Sequence, residues 1–133
     1  MTIECCDVAV VGAGPAGATA AFHLARGGLD VMLIDRASFP RDKVCGDLLG
    51  ADALEELAQL GVDPAKEWPG RTRTAKRWRE EGPDGEVKEG VENFGAGRTT
   101  VHFVRRSDFD DTLRRLALSA GARWRSSVSA PFQ

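Results

Sequence analysis

The chain has three cysteines in 133 residues, and they are badly placed for a disulfide framework. Cys5 and Cys6 are adjacent, and Cys45 stands alone. There is no Cys-x-x-Cys pair and no histidine cluster, so neither structural zinc nor a redox dithiol is supported. A reducing compartment fits such cysteine usage best. No apolar run approaches the roughly 18 residues of a membrane span. The opening Met1-Thr2-Ile3-Glu4-Cys5-Cys6 lacks the basic and apolar regions of a secretory signal. The protein is therefore expected to be cytoplasmic, or at most peripheral to a membrane. An excess of one charge is missing too: 18 Lys+Arg against 20 Asp+Glu leave a formal net charge of −2. Nucleic acid is not an expected partner.

What remains is ordinary for a globular protein. A composition of 42% hydrophobic and 29% charged residues argues against disorder. The length suits one domain with a real core.

The most informative stretch is Asp7-Val8-Ala9-Val10-Val11-Gly12-Ala13-Gly14-Pro15-Ala16-Gly17. It is an apolar run that ends in Gly-x-Gly-x-x-Gly and continues into Ala-Thr-Ala-Ala-Phe-His-Leu-Ala-Arg. Physically this is a buried strand, a tight turn and a helix whose amino end faces the turn. Gly12 permits the turn, Gly14 lets a pyrophosphate approach the backbone, and Gly17 lets the helix press on the strand. The free N–H groups and positive end of that helix favour a phosphate. A second apolar run ends at Asp35, eighteen residues beyond Gly17. That is close to the roughly 20-residue spacing of a carboxylate that binds an adenosine ribose. The alternative is a βαβ unit with a glycine-rich turn and a surface aspartate at a strand end.

The spacing predicts strand one over residues 6–11, apolar enough for a parallel strand covered on both faces. A helix follows from Pro15 to Arg26, stopped by Gly27-Gly28, and strand two covers 30–35. His23 reads as a partly exposed structural residue, with no second ligand in register. Three cations then fall between Arg36 and Lys43, where the Arg41 fork could clamp phosphate oxygens or stand in a solvated loop.

Farther along, residues 51–60 predict an amphipathic helix with Leu54, Leu57 and Ala58 on one face, capped by Gly61. Residues 63–70 read as a loop. Gly82-Pro83-Asp84-Gly85 predicts a hairpin turn between a basic run from Arg71 to Arg79 and an acidic one ending at Glu92. The competing reading of that run is an anionic-lipid or phosphate patch, offset by the neighbouring acids. Trp68 and Trp78 read as packing residues. Thr99 to Arg105 is β-rich, with His102 a strand-face residue rather than a base. Ser107-Asp108-Phe109-Asp110 resembles a capping box. Phe109, Leu113, Leu116, Ala117 and Ala120 then share a helix face ended by Gly121. A third parallel strand is expected over 122–128.

At this point Gly12 to Gly17, then Asp35-Arg36, then Phe39-Pro40-Arg41-Asp42-Lys43-Val44-Cys45-Gly46-Asp47 resembles the start of the geranylgeranyl reductase family. Those are FAD flavoproteins of the larger p-hydroxybenzoate hydroxylase-like group. Related flavin-dependent halogenases tend to carry Gly-Glu-Ser after a similar Pro-Arg, whereas this chain has Cys-Gly-Asp. The resemblance implies an α/β fold: a Rossmann-like FAD-binding βαβ with a parallel sheet, a β-hairpin excursion and an incomplete C-terminus. Pro15 and Ala16 would lie under the pyrophosphate, Asp35 on the ribose and Arg36 by the adenine. Cys45, Gly46 and Leu48 would border the flavin ring, and Val128 the adenine. Arg106 matches the family's Arg-x-x-Phe-Asp-x-x-Leu pattern, whose arginine approaches the pyrophosphate. Cys45 is either a thiol activated by Lys43 or Arg41, or a small residue packed beside the flavin. No residue of this chain is assigned a catalytic role, because the flavin carries the chemistry.

The domains implied are 1–70, the FAD-binding βαβ and following helix; 71–104, the hairpin excursion toward a substrate domain; and 105–133, the return helix and third strand. The chain matches only the opening third or so of a family member, so it reads as a fragment or a reduced descendant. The implied activity is FAD-dependent reduction of C=C bonds in a prenyl or isoprenoid substrate. The electron donor would be NAD(P)H or a ferredoxin-like protein. The alternatives are an aromatic monooxygenase or halogenase, and a non-catalytic nucleotide-binding module. An ordinary NAD dehydrogenase would leave Pro40 to Gly46 unexplained.

Overall fold

A computed structural model of the chain describes residues 4–45, 47–71, 73–75, 77–90 and 101–126, with side chains omitted at 73–75, 78 and 101. Two expected cofactor positions, Gly46 and Val128, lie outside the described residues, as does the side chain of Trp78. In chain order the elements are β1 (Val8–Val11), α1 (Pro15–Arg26), β2 (Val31–Asp35), β3 (Leu48–Leu49), α2 (Ala51–Gln59), α3 (Pro64–Glu67), β4 (Arg73–Ala75), β5 (Trp78–Glu81), β6 (Val87–Gly90), β7 (Val101–Phe103), α4 (Arg106–Ser119) and β8 (Arg123–Ser126). The described residues within 1–43 and 106–133 form one compact unit, and those within 44–105 form another.

The first unit is the expected α/β arrangement. Its sheet is parallel, in the order β1-β2-β8. Val8 pairs with Val31 and Val11 with Ile34, and on the other side Met32 pairs with Arg123 and Asp35 with Ser126. The central strand is β2, and its Val31, Met32 and Leu33 are all buried. Helices α1 and α4 pack against each other. They can approach closely because Ala18, Ala21 and Ala117, all fully buried, carry only a methyl group. Phe22, Phe109 and Leu113 fill the rest of that core. α1 ends as its glycines require: Gly28 takes a φ of +89° that few other residues tolerate.

β1 departs from expectation. Val8 and Val10 are half-buried, but Ala9 and Val11 are exposed, Val11 by 67%. Among the described strands β1 has one neighbour, and α1 covers one of its faces. The continuous apolar run therefore does not translate into burial on both sides.

The second unit is built on a small antiparallel sheet in the order β3-β7-β4. Leu48 opposes Phe103, and Arg73 opposes Phe103 from the other side. α2 buries Leu57, followed by Leu60 and Val62, whereas Ala58 of the expected apolar face is exposed. Residues 64–67, read above as loop, make a helical turn, α3. Asp63 caps it, its carboxylate accepting the Ala65 N–H at 3.0 Å, and Pro64 occupies the first position, where no N–H is needed. Trp68 is buried, as its reading as a packing residue required.

The hairpin β5-β6 turns at Gly82 to Gly85, with the Gly82 N–H donating to the Glu86 carbonyl at 2.8 Å. Arg79 stands opposite Glu89, and their charges meet at 3.5 Å. Direct pairing across the ladder offsets the basic run with the acidic one.

The two compact units divide at residues 43/44 and 105/106. A two-residue strand at 48–49 gives no periodic signal, yet its pairing with β7 ties the chain from Val44 onward to the second unit.

Leu33 is wholly buried in the central strand. Leu33→Ala should cost about 2–5 kcal/mol, read as a lower urea midpoint with an unchanged slope.

Candidate functional site

The site begins where β1 turns into α1. Gly12 adopts a φ of +101° and donates its N–H to the Ile34 carbonyl at 2.7 Å, tying the turn to β2. At Gly17 a Cβ would lie 1.8 Å from the Gly12 carbonyl oxygen and 3.4 Å from Val10 Cγ1. No side chain fits, so the third glycine sets how closely helix and strand approach. Gly14 is the residue before α1, with no side-chain cap and no acid in the first turn. The N–H groups and positive end of the helix are thus left to an outside anion.

The carboxylate of Asp35, at the end of β2, reaches back to this turn. One oxygen accepts the Ala13 N–H at 2.7 Å and the other the Ala37 N–H at 2.8 Å. Asp35 therefore fastens the glycine turn to the strand end. A carboxylate offers about four lone-pair positions, so two backbone partners still leave acceptor capacity for a hydroxyl.

Arg41 lies on the loop after β2, and its guanidinium sits beside Gly14: a Cβ built on that glycine would be 3.5 Å from Arg41 Nη2. The same nitrogen is 3.1 Å from the carboxylate of Asp110 on α4. Arg106, one turn earlier on α4, grips Asp110 with a two-point fork, Nε to Oδ1 at 2.7 Å and Nη2 to Oδ2 at 2.9 Å. Asp110 is fully buried, while Arg41 and Arg106 keep 18% and 14% of their side chains exposed. Two cations against one anion leave the cluster with one net positive charge.

Aromatic contacts seat the Arg41 loop. Phe39 meets Trp124 of β8 edge-on at 5.6 Å. The Arg114 guanidinium lies over both rings, 5.4 Å from Phe39 and 5.3 Å from Trp124, and Arg41 itself stacks on Phe39 at 5.2 Å.

Of the residues expected from sequence, Gly12, Gly14, Pro15, Ala16, Gly17, Asp35, Arg36, Arg41 and Arg106 all fall in the first unit. Arg36 is exposed. Cys45 and Leu48 belong to the second unit, where both are exposed and Leu48 pairs with Phe103. His102 lies on β7, as expected, and lines a cleft of ≈ 480 Å³ with Leu54, Val62 and Pro64. Its Nδ1 is buried and finds no partner among the described residues.

Sequence reasoning missed Asp110. The capping-box spacing pairs it with Ser107, but α4 starts at Arg106, so Ser107 lies inside the helix. Asp110 spends its carboxylate on arginines instead. The overlooked signal was the Arg106/Asp110 spacing of four, which places both on one helical face.

A family described as FAD binding domain matches residues 5–129. The chain belongs to this FAD-binding family. FAD is the family's cofactor, and the turn fits its diphosphate: an open glycine, an uncapped helix end and a guanidinium beside them. The chain is 42% identical over 122 residues to a menaquinone reductase of Mycobacterium tuberculosis, covering 88% of this chain and 28% of that one. It is 37% identical over 122 residues to digeranylgeranylglycerophospholipid reductase 1 of Methanothermobacter thermautotrophicus, with the same coverage. Among solved structures, a flavin-dependent brominase superposes with a TM-score of 0.75 at 25% identity, over 91% of this chain and 29% of that one. A geranylgeranyl bacteriochlorophyll reductase-like protein of Thermoplasma acidophilum gives 0.69 at 31%, over 90% and 29%. The chain thus spans a little over a quarter of the length of the relatives it matches. Among the described residues, no helix is long and apolar enough to cross a membrane.

Gly17→Ala drives a methyl into the Gly12 carbonyl, so flavin should be lost from the purified protein and its melting temperature should fall. Asp35→Ala leaves the Ala13 and Ala37 N–H groups without their acceptor. It should weaken FAD by about 1–3 kcal/mol in a fluorescence titration.

Proposed function

We propose that this chain is the FAD-binding part of a flavin-dependent oxidoreductase that reduces C=C bonds of a prenyl or isoprenoid substrate. The observation that carries the reading is the Arg41 guanidinium beside Gly14, at the uncapped end of α1. In this reading the first-turn N–H groups of α1, at Ala16 and Gly17, receive the diphosphate. Arg41 and Arg106 balance its charge. Asp35 accepts from the adenosine ribose with the lone pairs its backbone partners leave, and Arg36 lies by the adenine. Val128 would border the adenine, while Cys45, Gly46 and Leu48 would border the flavin ring. When bound, reduced FAD supplies the hydride.

The substrate class is supported by two relatives, reductases named for menaquinone and for digeranylgeranylglycerophospholipid. Electrons come from NAD(P)H or a ferredoxin-like donor. The protein works in the cytoplasm and touches a membrane only peripherally, where an isoprenoid substrate would partition. In this reading residues 1–70 and 105–133 serve the cofactor, and 71–104 reach toward the substrate side. A second reading, an aromatic monooxygenase or halogenase, is favoured by the brominase superposition. Against it stands Cys45-Gly46-Asp47 where halogenases tend to carry Gly-Glu-Ser.

The test is purification followed by anaerobic reduction. The protein should retain yellow flavin that dissociates as FAD on denaturation, and a geranylgeranyl acceptor should reoxidise it without oxygen. Reoxidation that requires oxygen and a halide would support the second reading. Binding of ADP with no affinity for flavin would leave only a nucleotide-binding module. Gly14→Val should abolish flavin retention, because its side chain fills the approach beside Arg41; unchanged retention would remove the diphosphate from this turn.

A further inference from the structure

We propose that Asp110 is the positioning residue of the diphosphate end of the site, holding Arg41 and Arg106 in the orientation in which they receive a second phosphate. This rests on the flavin reading above and deepens it.

Asp110 is fully buried, and an ionised carboxylate removed from water is strongly unfavourable unless paired and hydrogen-bonded. It meets guanidinium groups from two separate segments, the loop after β2 and the first turn of α4. The Arg106 fork is planar and two-pointed, so it fixes the direction of that side chain as well as its distance. Arg41 meets Asp110 with Nη2 at 3.1 Å while the head stays beside Gly14, and a guanidinium has five N–H donors to share between a carboxylate and a phosphate. A carboxylate at the ligand surface would repel a diphosphate. Placed beneath the arginines, it lowers their mutual repulsion and leaves one net positive charge. Arginines held this way lose little further freedom when a phosphate arrives.

Two probes separate positioning from a general structural role. AMP carries one phosphate and ADP carries two, so preorganised arginines should matter more for ADP. Calorimetric titration of Asp110→Asn, which keeps the volume but loses the charge and the double acceptor, should weaken ADP and FAD about tenfold. AMP should weaken much less. In an Arg41→Gln background the Asp110→Asn loss for ADP should shrink, because the two substitutions act through the same group. Equal ADP affinity in wild type and Asp110→Asn overturns the proposal, and so does an equal loss for AMP and ADP. Should Asp110→Asn fail to fold, Arg106→Lys tests the same fork: the charge stays, the two-point grip goes, and ADP should again weaken more than AMP. An unchanged ADP/AMP ratio in Arg106→Lys overturns the proposal. A wild type that binds neither FAD nor ADP overturns the flavin reading together with this one. A wild type that binds both, with Asp110→Asn unaffected, overturns the positioning role alone.

Discussion

Helix α1 and strand β1 meet where only a hydrogen atom fits, at Gly17 over the carbonyl of Gly12. Every other feature of the turn follows from that approach. With the helix so close, the chain must reverse within a few residues, which needs the positive φ of Gly12. The reversal presents the Gly12 N–H to the Ile34 carbonyl and the Ala13 N–H to Asp35, so β2 and the turn become one hydrogen-bonded piece. The first turn of α1 is then directed at the space beside Gly14. A larger residue at position 17 would push the helix away and redirect its amino end, whatever happened to the contacts downstream.

The second constraint is how an arginine from a loop comes to stand at that place. Loops carry little order of their own, and Arg41 is brought in by what surrounds it. Phe39, two residues earlier, wedges against Trp124 on β8, and Arg114 of α4 covers both rings. Arg114 is in turn held by Asp111 at 2.7 Å. One helical turn of α4 thus supplies adjacent carboxylates with different tasks: Asp110 reaches inward to Arg41 and Arg106, and Asp111 steers Arg114 and Arg115. The return helix therefore contributes more to the candidate site than Arg106, the one residue the family pattern marks on it.

Most of the first unit was legible because its signals are local. Pro15 and Gly28 bound α1 where expected, and the two apolar runs became paired parallel strands. The Pro-Arg segment after β2 was legible only through resemblance; spacing alone left Arg41 divided between clamp and solvated loop. Two kinds of feature were not legible. Short strands such as Leu48–Leu49 exist because a distant partner, β7, offers a ladder, and two residues carry no period. The roles of Asp35 and Asp110 depend on which groups the fold brings to them. The spacing of Asp35 points to a ribose, whereas its hold on Ala13 and Ala37 depends on the path of the turn. Asp110 fits the capping-box spacing from Ser107, which would start the helix at Asp108; it lost that role because the helix begins two residues earlier, at Arg106. A shift of two residues at a helix end, the least certain feature of any reading, changed a cap into a buried ion pair.

The buried ion cluster also shows what is gained when two arginines, instead of one, share Asp110. A single arginine paired with Asp110 would be neutral overall and would attract an anion weakly. Two arginines without the acid would repel each other and swing into water. One acid shared between two guanidiniums is the smallest combination that is both held and still positive. The fixed charge stands beside the amino end of α1, so its field adds to the partial positive charge of the helix rather than competing with it. Burial matters here as well: with Asp110 fully shielded and the arginines mostly so, salt screens the cluster far less than an exposed pair such as Arg79 with Glu89. The attraction for an anion therefore persists at ionic strengths that would erase the surface pairs of the hairpin.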